Sequence, residues 1–69
     1  MFSENIKRLR NERKLSQADI AKRLGITQQA YSLYELGLKI PSFAMVLNIA
    51  DFFGVSIDSL VNRDKKEEQ

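Results

Sequence analysis

The chain contains no cysteine and no histidine. Without thiols there is neither a disulfide framework nor a thiolate metal site, and without imidazole the other common zinc ligand and the most frequent general base are missing too. It has one proline and three glycines, too few for a disordered or low-complexity chain. Apolar runs are short and broken by charge, so nothing reads as a membrane span. The start, Met1-Phe2-Ser3-Glu4-Asn5, has neither the basic opening nor the apolar stretch of a secretory signal. A soluble, cytoplasmic protein held together by packing alone is expected.

What is present points to one small folded domain. The 69 residues are 43% hydrophobic and 29% charged. A chain this short buries only about 60% of its unfolded surface and supports a single core. Such a core cannot surround a substrate pocket of several hundred cubic ångströms. The nine carboxylates are scattered, and no phosphate loop, nucleophile elbow or metal cluster occurs. An enzyme is therefore the least expected class, and neither cofactor, metal nor small-molecule ligand is expected. The net charge of +2 hides a gradient: residues 1–39 hold eight Lys/Arg against four Asp/Glu, whereas residues 40–62 hold no Lys or Arg, only Asp51 and Asp58. Such a basic half suits a polyanionic partner, although small domains also show this asymmetry by chance.

Periodicity and capping signals predict five helices. Ser3 is placed as the cap of a first helix running through Lys14, with Ile6, Leu9 and the stem of Arg13 on one face. Ser16 and Asp19 suggest a capping box for a second helix, in which Ala18, Ala21 and Leu24 recur before Gly25 supplies a left-handed end. Only Gly25 and Ile26 precede the next cap, Thr27, so the second and third helices must cross steeply as a helix-turn-helix. The third helix runs from Gln28 to about Leu36 and stops at Gly37. Leu38-Lys39-Ile40-Pro41 must then be a loop, because the residue before proline avoids helical geometry. Ser42 caps a fourth helix striped with Val46, Leu47, Ile49, Ala50 and Phe53, and Gly54 closes it. Ser56 caps a short fifth helix, Ile57 to about Asn62. The expected core adds Leu15, Ile26, Tyr31, Val55 and Leu60. Residues 63–69 offer nothing apolar to bury and are expected to be a charged, disordered tail beyond a domain of residues 1–62.

Several motifs fall in one register: Ser16-Gln17-Ala18, Leu24-Gly25-Ile26-Thr27-Gln28, Ser32, Glu35, Gly37, Pro41-Ser42, Ile49-Ala50 and Gly54-Val55-Ser56. Together they make the chain resemble the lambda repressor/Cro-like, XRE-type family of bacterial and phage helix-turn-helix regulators over roughly residues 3–62. The resemblance implies an all-α, compact five-helix DNA-binding domain, acting as a transcriptional regulator and most often as a repressor. It also implies that the third helix enters the major groove of double-stranded DNA. In family members Gln17 corresponds to a phosphate-binding glutamine, and Arg10 and Glu35 to a structural ion pair between the first and third helices. The family implies a homodimer on an inverted-repeat operator, with Ile57, Ser59 and Val61 meeting across the two-fold axis.

The helical wheel indicates independently which face of the third helix is free. At 100° per residue, Tyr31, Tyr34 and Glu35 form one arc and Gln28, Gln29, Ser32, Leu33 and Leu36 the opposite one. A glutamine amide presents a donor and an acceptor side by side, matching adenine N6 and N7, so Gln28 and Gln29 are the base-reading candidates. Ser32 suits a base or a phosphate, and Leu33 a thymine methyl. The bland alternative for this arc is an ordinary polar helix face, and exposed leucines also mark protein interfaces. Thr27, Tyr34 and Lys39 join Gln17 as phosphate candidates, with Tyr34 alternatively finishing the core and Lys39 alternatively a solvated loop lysine. The rival function is a protein-interaction module, or an antitoxin-like partner protein, with the same fold.

Overall fold

Side-chain caps set most of the helix starts. The computed structural model describes residues 1–61, so the expectations for Asn62 and for the tail at 63–69 lie outside the described residues. Among the described residues there are five helices and no strand: α1 (Phe2–Glu12), α2 (Gln17–Leu24), α3 (Gln28–Leu36), α4 (Phe43–Phe53) and α5 (Ile57–Val61). Ser16 Oγ accepts from the Asp19 amide at 3.0 Å while the Asp19 carboxylate accepts from the Ser16 amide at 3.2 Å, completing the capping box of α2. Thr27, Ser42 and Ser56 accept in the same way from Ala30, Met45 and Ser59 at the starts of α3, α4 and α5. Gly25 ends α2 at φ 76°, a left-handed conformation that lets the chain turn at once into the cap of α3.

The first helix departs from expectation at both ends. Ser3 lies inside α1, whose N-cap is Met1 with no side-chain hydrogen bond. The Asn5 amide already donates to the Met1 carbonyl at 2.9 Å, so the first turn closes two residues earlier than the serine suggested. At the other end the helix stops at Glu12, and Lys14 takes φ 58° without being glycine. That left-handed residue is held because the Leu15 amide reaches back to the Arg10 carbonyl at 3.2 Å and Arg10 Nη1 donates to the Leu15 carbonyl at 2.7 Å.

The core is drawn from every helix. Ile6, Ile20, Tyr31, Ile49 and Leu60 are fully buried, joined by Leu9, Ala21, Tyr34, Ala50 and Phe53. Leu24, Ile26, Val46 and Val55 pack against them half-buried, and Leu15 is also half-buried. Two expected core residues do not belong to it. Ala18 is exposed, because the inward face of α2 runs Gln17, Ile20, Ala21, Leu24 at i, i+3, i+4 and i+7. Leu47 is 40% exposed, because the same spacing in α4 selects Val46, Ile49, Ala50 and Phe53.

Polar ties fix the helices against one another. Asn5 Nδ2, buried, donates to the Leu60 carbonyl at 2.7 Å and fastens α1 to α5. Arg13 Nη2 donates to the Phe53 carbonyl at 2.7 Å, and its guanidinium lies 5.3 Å from the Phe53 ring centroid. One arginine thus satisfies a C-terminal carbonyl of α4 and covers the aromatic ring beneath it. α3 packs on α1 and α2, while α5 packs on α1 and α4. This arrangement backs α3 from one side only.

Truncation tests this assignment of the core. Ile20→Ala is expected to lower stability by about 2–5 kcal/mol and Leu47→Ala by less than about 1 kcal/mol, read by urea denaturation. Equal losses would place the core incorrectly.

Candidate nucleic-acid interface

α3 divides into two faces as its wheel requires. Tyr31, Tyr34 and Glu35 are buried, whereas Gln28 and Gln29 are exposed, Ser32 is half-buried and Leu33 is exposed. Gln28 and Gln29 occupy the first two helical positions after the Thr27 cap, so their side chains stand at the open N-terminal end of the helix. Thr27 Oγ1 accepts from the Ala30 amide, which leaves its hydroxyl proton free to donate outward. Lys39 is exposed in the loop after α3. Tyr34 is different: it is only 7% exposed and meets the Tyr31 ring edge-on at 6.2 Å, so most of its surface is spent in the core.

The inner face of α3 carries a charged network. Arg10 donates to Glu35 twice, through Nε to Oε2 at 2.6 Å and through Nη2 to Oε1 at 3.0 Å. This bidentate pair joins α1 to α3 with side chains only 12% and 3% exposed. Gln17 adds a third donor, its Nε2 lying 3.0 Å from Glu35 Oε1. The glutamine singled out for phosphate therefore also belongs to the interior network, a role the residues alone did not suggest. The signal was its spacing: Gln17 shares the inward stripe of Ile20, Ala21 and Leu24.

Burial alone would push the Glu35 carboxyl up, but the hydrogen bonds from Arg10 and Gln17, with the Tyr31 hydroxyl close by, outweigh it and hold the carboxyl below its ordinary range. The hydrogen bonds to Glu35, and after them its charge, in turn push the Arg10 pKa up. The Tyr31 hydroxyl is buried beside this pair with no hydrogen-bond partner of good geometry among the described residues. Burial, and after it the adjacent Glu35 carboxylate, push its pKa far up.

Of the expected dimer residues, Ser59 and Val61 are exposed and Ile57 is half-buried against the core. The Ser59 hydroxyl lies 3.1 Å from that of Ser56, a local bond within the cap of α5. A further exposed apolar stretch runs from the last residue of α3 to the first of α4, comprising Leu36, Leu38, Ile40 and Phe43. Among the described residues no group of His, Cys, Asp or Glu is arranged to hold a metal, and no helix is long and apolar enough to cross a membrane.

A family model described as helix-turn-helix matches residues 6–60, which takes in the whole of α2, α3 and α4. The chain belongs to the XRE-type helix-turn-helix family. That family is a non-enzymatic, DNA-binding one. This helix-turn-helix chain is 43% identical over 67 residues to the uncharacterized HTH-type transcriptional regulator YqaE of Bacillus subtilis, covering 97% of this chain and 58% of that protein. It is 40% identical over 62 residues to the cryptic phage CTXphi transcriptional repressor RstR of Vibrio cholerae, covering 90% and 56%. The chain thus spans a little over half the length of these curated relatives. In three dimensions it is similar to the solution structure of the SOS-response transcriptional repressor LexA from Eubacterium rectale, with a TM-score of 0.88 and 30% identity over 93% of this chain and 68% of that one.

For this helix-turn-helix domain the network predicts a stability window. The Glu35 carboxyl titrates lower in the folded chain than its ordinary 4.5, so its contribution is complete above that value. It drains away as the pH falls, because the unfolded chain takes up the proton first. Tyr31 has the opposite sign: the unfolded chain releases its proton near 10.0 while the folded one keeps it, so stability falls as the pH rises past that point. Glu35→Ala, which strands Arg10, is expected to cost about 3–5 kcal/mol at neutral pH and to remove most of the acid dependence. Tyr31→Phe is expected to match or exceed wild-type stability at neutral pH and to lose the alkaline decline. Thermal melts between pH 3 and 11 check both variants; an unchanged melting temperature in Glu35→Ala would contradict the pairing.

Proposed function

We propose that the chain is the sequence-specific, double-stranded-DNA-binding domain of a cytoplasmic transcriptional repressor. The observation that carries this reading is the exposed arc of α3, with Gln28 and Gln29 at its open end, braced from behind by a buried ion pair. A helix held on one side and bare on the other fits the major groove, which is about 12 Å wide. Gln28 and Gln29 pair with adenine edges, each good bidentate pair supplying about 1–3 kcal/mol of discrimination against a wrong base. Ser32 bonds to a base or phosphate beside them, and Leu33 packs on a thymine methyl. Gln17, Thr27 and Lys39 hold the flanking phosphates and fix register, with Tyr34 contributing at most its edge.

One such helix reads only a few base pairs, so the domain acts as a homodimer on an inverted repeat with half-sites about one helical turn apart. Ile57, Ser59 and Val61 supply the contact across the two-fold axis. Repression follows from occupying the site that polymerase needs, and a relative 40% identical to this chain is named as a repressor.

One observation favours a second reading as a protein-docking module: Leu36, Leu38, Ile40 and Phe43 expose apolar surface in close succession. Binding to DNA decides between them. Selection from a random duplex pool at physiological salt is expected to recover an inverted repeat, and Gln28→Ala or Gln29→Ala to relax the preference at defined positions. Lys39→Ala is expected to weaken binding uniformly and to reduce the slope of log affinity against log salt by about 0.9. A folded protein that enriches no sequence would overturn the DNA reading and leave the docking one.

A further inference from the structure

Gln17 has two roles that are usually kept apart. It sits in the first turn of α2, where the proposed function puts the DNA backbone, and its amide nitrogen is bonded to Glu35, a side chain 3% exposed and so out of reach of any DNA. A carboxylate can only accept hydrogen bonds, so the amide must present nitrogen, not oxygen, to Glu35. That settles which way round the amide stands. One N–H is used inward, and the second N–H of the same nitrogen remains for an outside acceptor such as a phosphate oxygen.

The carboxylate is itself immobilised by two bonds from Arg10, at 2.6 and 3.0 Å. A glutamine free in solvent would sample many rotamers and both amide orientations, and binding would have to order it. Here that ordering is already done in the free protein, which is the condition under which a surface contact yields most of its affinity.

We propose that Glu35 is a positioning residue for Gln17: by accepting from Nε2 it presets the amide for the DNA backbone, so that α1, through Arg10, governs a contact it never touches. This rests on the proposed DNA reading. It differs from a purely structural role for the ion pair, in which Glu35 would hold the helices together and leave the affinity contributed by Gln17 unchanged.

Two measurements test it. In the free wild-type protein, side-chain amide spectra are expected to show the Gln17 Nε2 group rigid and shifted, unlike those of Gln28 and Gln29. In Glu35→Gln the Gln17 signals are expected to move to the values of the exposed glutamines. A mobile, unshifted Gln17 amide in wild type would overturn the proposal without any DNA being present. The second measurement is a mutant cycle, read on the duplex recovered by selection, or on unselected random duplex if none is recovered. Gln17→Ala is expected to weaken binding about three- to tenfold in the wild-type background. It is expected to weaken it less than about twofold in the double substitution Arg10→Met, Glu35→Met, which removes both charges together so that neither is stranded. If the doubly substituted chain does not fold, the free-protein spectra decide alone. Equal losses in both backgrounds would show that Glu35 does not position Gln17. A rigid Gln17 amide together with no affinity for any duplex would instead remove the DNA reading on which the proposal depends.

Discussion

The bidentate pair between Arg10 and Glu35 is the constraint from which the working parts of this domain follow. The hydrophobic core could accept small rotations of α3 about its own axis, since Tyr31 and Tyr34 present broad rings to it. A guanidinium and a carboxylate locked at two points cannot, because rotation would leave charges buried and unmatched. The pair therefore sets which residues of α3 face inward, and by subtraction which face the solvent. Gln28, Gln29 and Leu33 are outward because Glu35 is inward. The same carboxylate reaches the first turn of α2 through Gln17, so α1, α2 and α3 meet at one buried acceptor.

Around this centre the domain spends its few polar ties where packing is thin. α5 has five residues and is too short to hold itself by propensity. It is kept by Leu60 in the core and by the Asn5 bond to the Leu60 carbonyl. α4 is closed by Arg13 from α1 in the same fashion. α1 thus reaches three other helices directly: α3 through Arg10, α4 through Arg13 and α5 through Asn5. The basic half of the chain lies in α1 to α3, the same helices that surround the outward arc, whereas α4 and α5 are free of Lys and Arg among the described residues. Charge and shape therefore agree on which side would meet a polyanion.

Much of this was legible in the residues, and the parts that were not have physical causes. Caps are local: a Ser or Thr whose oxygen meets an amide three residues on needs no tertiary information, so Ser16, Thr27, Ser42 and Ser56 were readable. Ser3 misled because a serine can sit harmlessly within a first turn when the chain before it is already helical. The arc of α3 was readable because its tyrosines and glutamines contrast strongly. α2 was harder, since Ala18 and Ala21 offer little contrast and the eight-residue helix allows more than one stripe; Ile20 facing inward is decided by what it packs on. Counting from the cap would have given Gln17, Ile20, Ala21 and Leu24, and with them the inward turn of Gln17. The Arg10–Glu35 pair came from family likeness alone, because partners 25 residues apart on different helices carry no local spacing signal.

In the proposed function one buried pair turns a chosen face of α3, and the first turn of α2, toward DNA. Backbone amide shifts followed during titration with a duplex containing the selected repeat test it most directly. The largest changes are expected at Gln17, Thr27, Gln28, Gln29, Ser32, Leu33 and Lys39, with the α4 face around Leu47 and Asp51 little affected. Changes centred on that α4 face, or on Leu38 to Phe43 with α3 silent, would contradict that orientation.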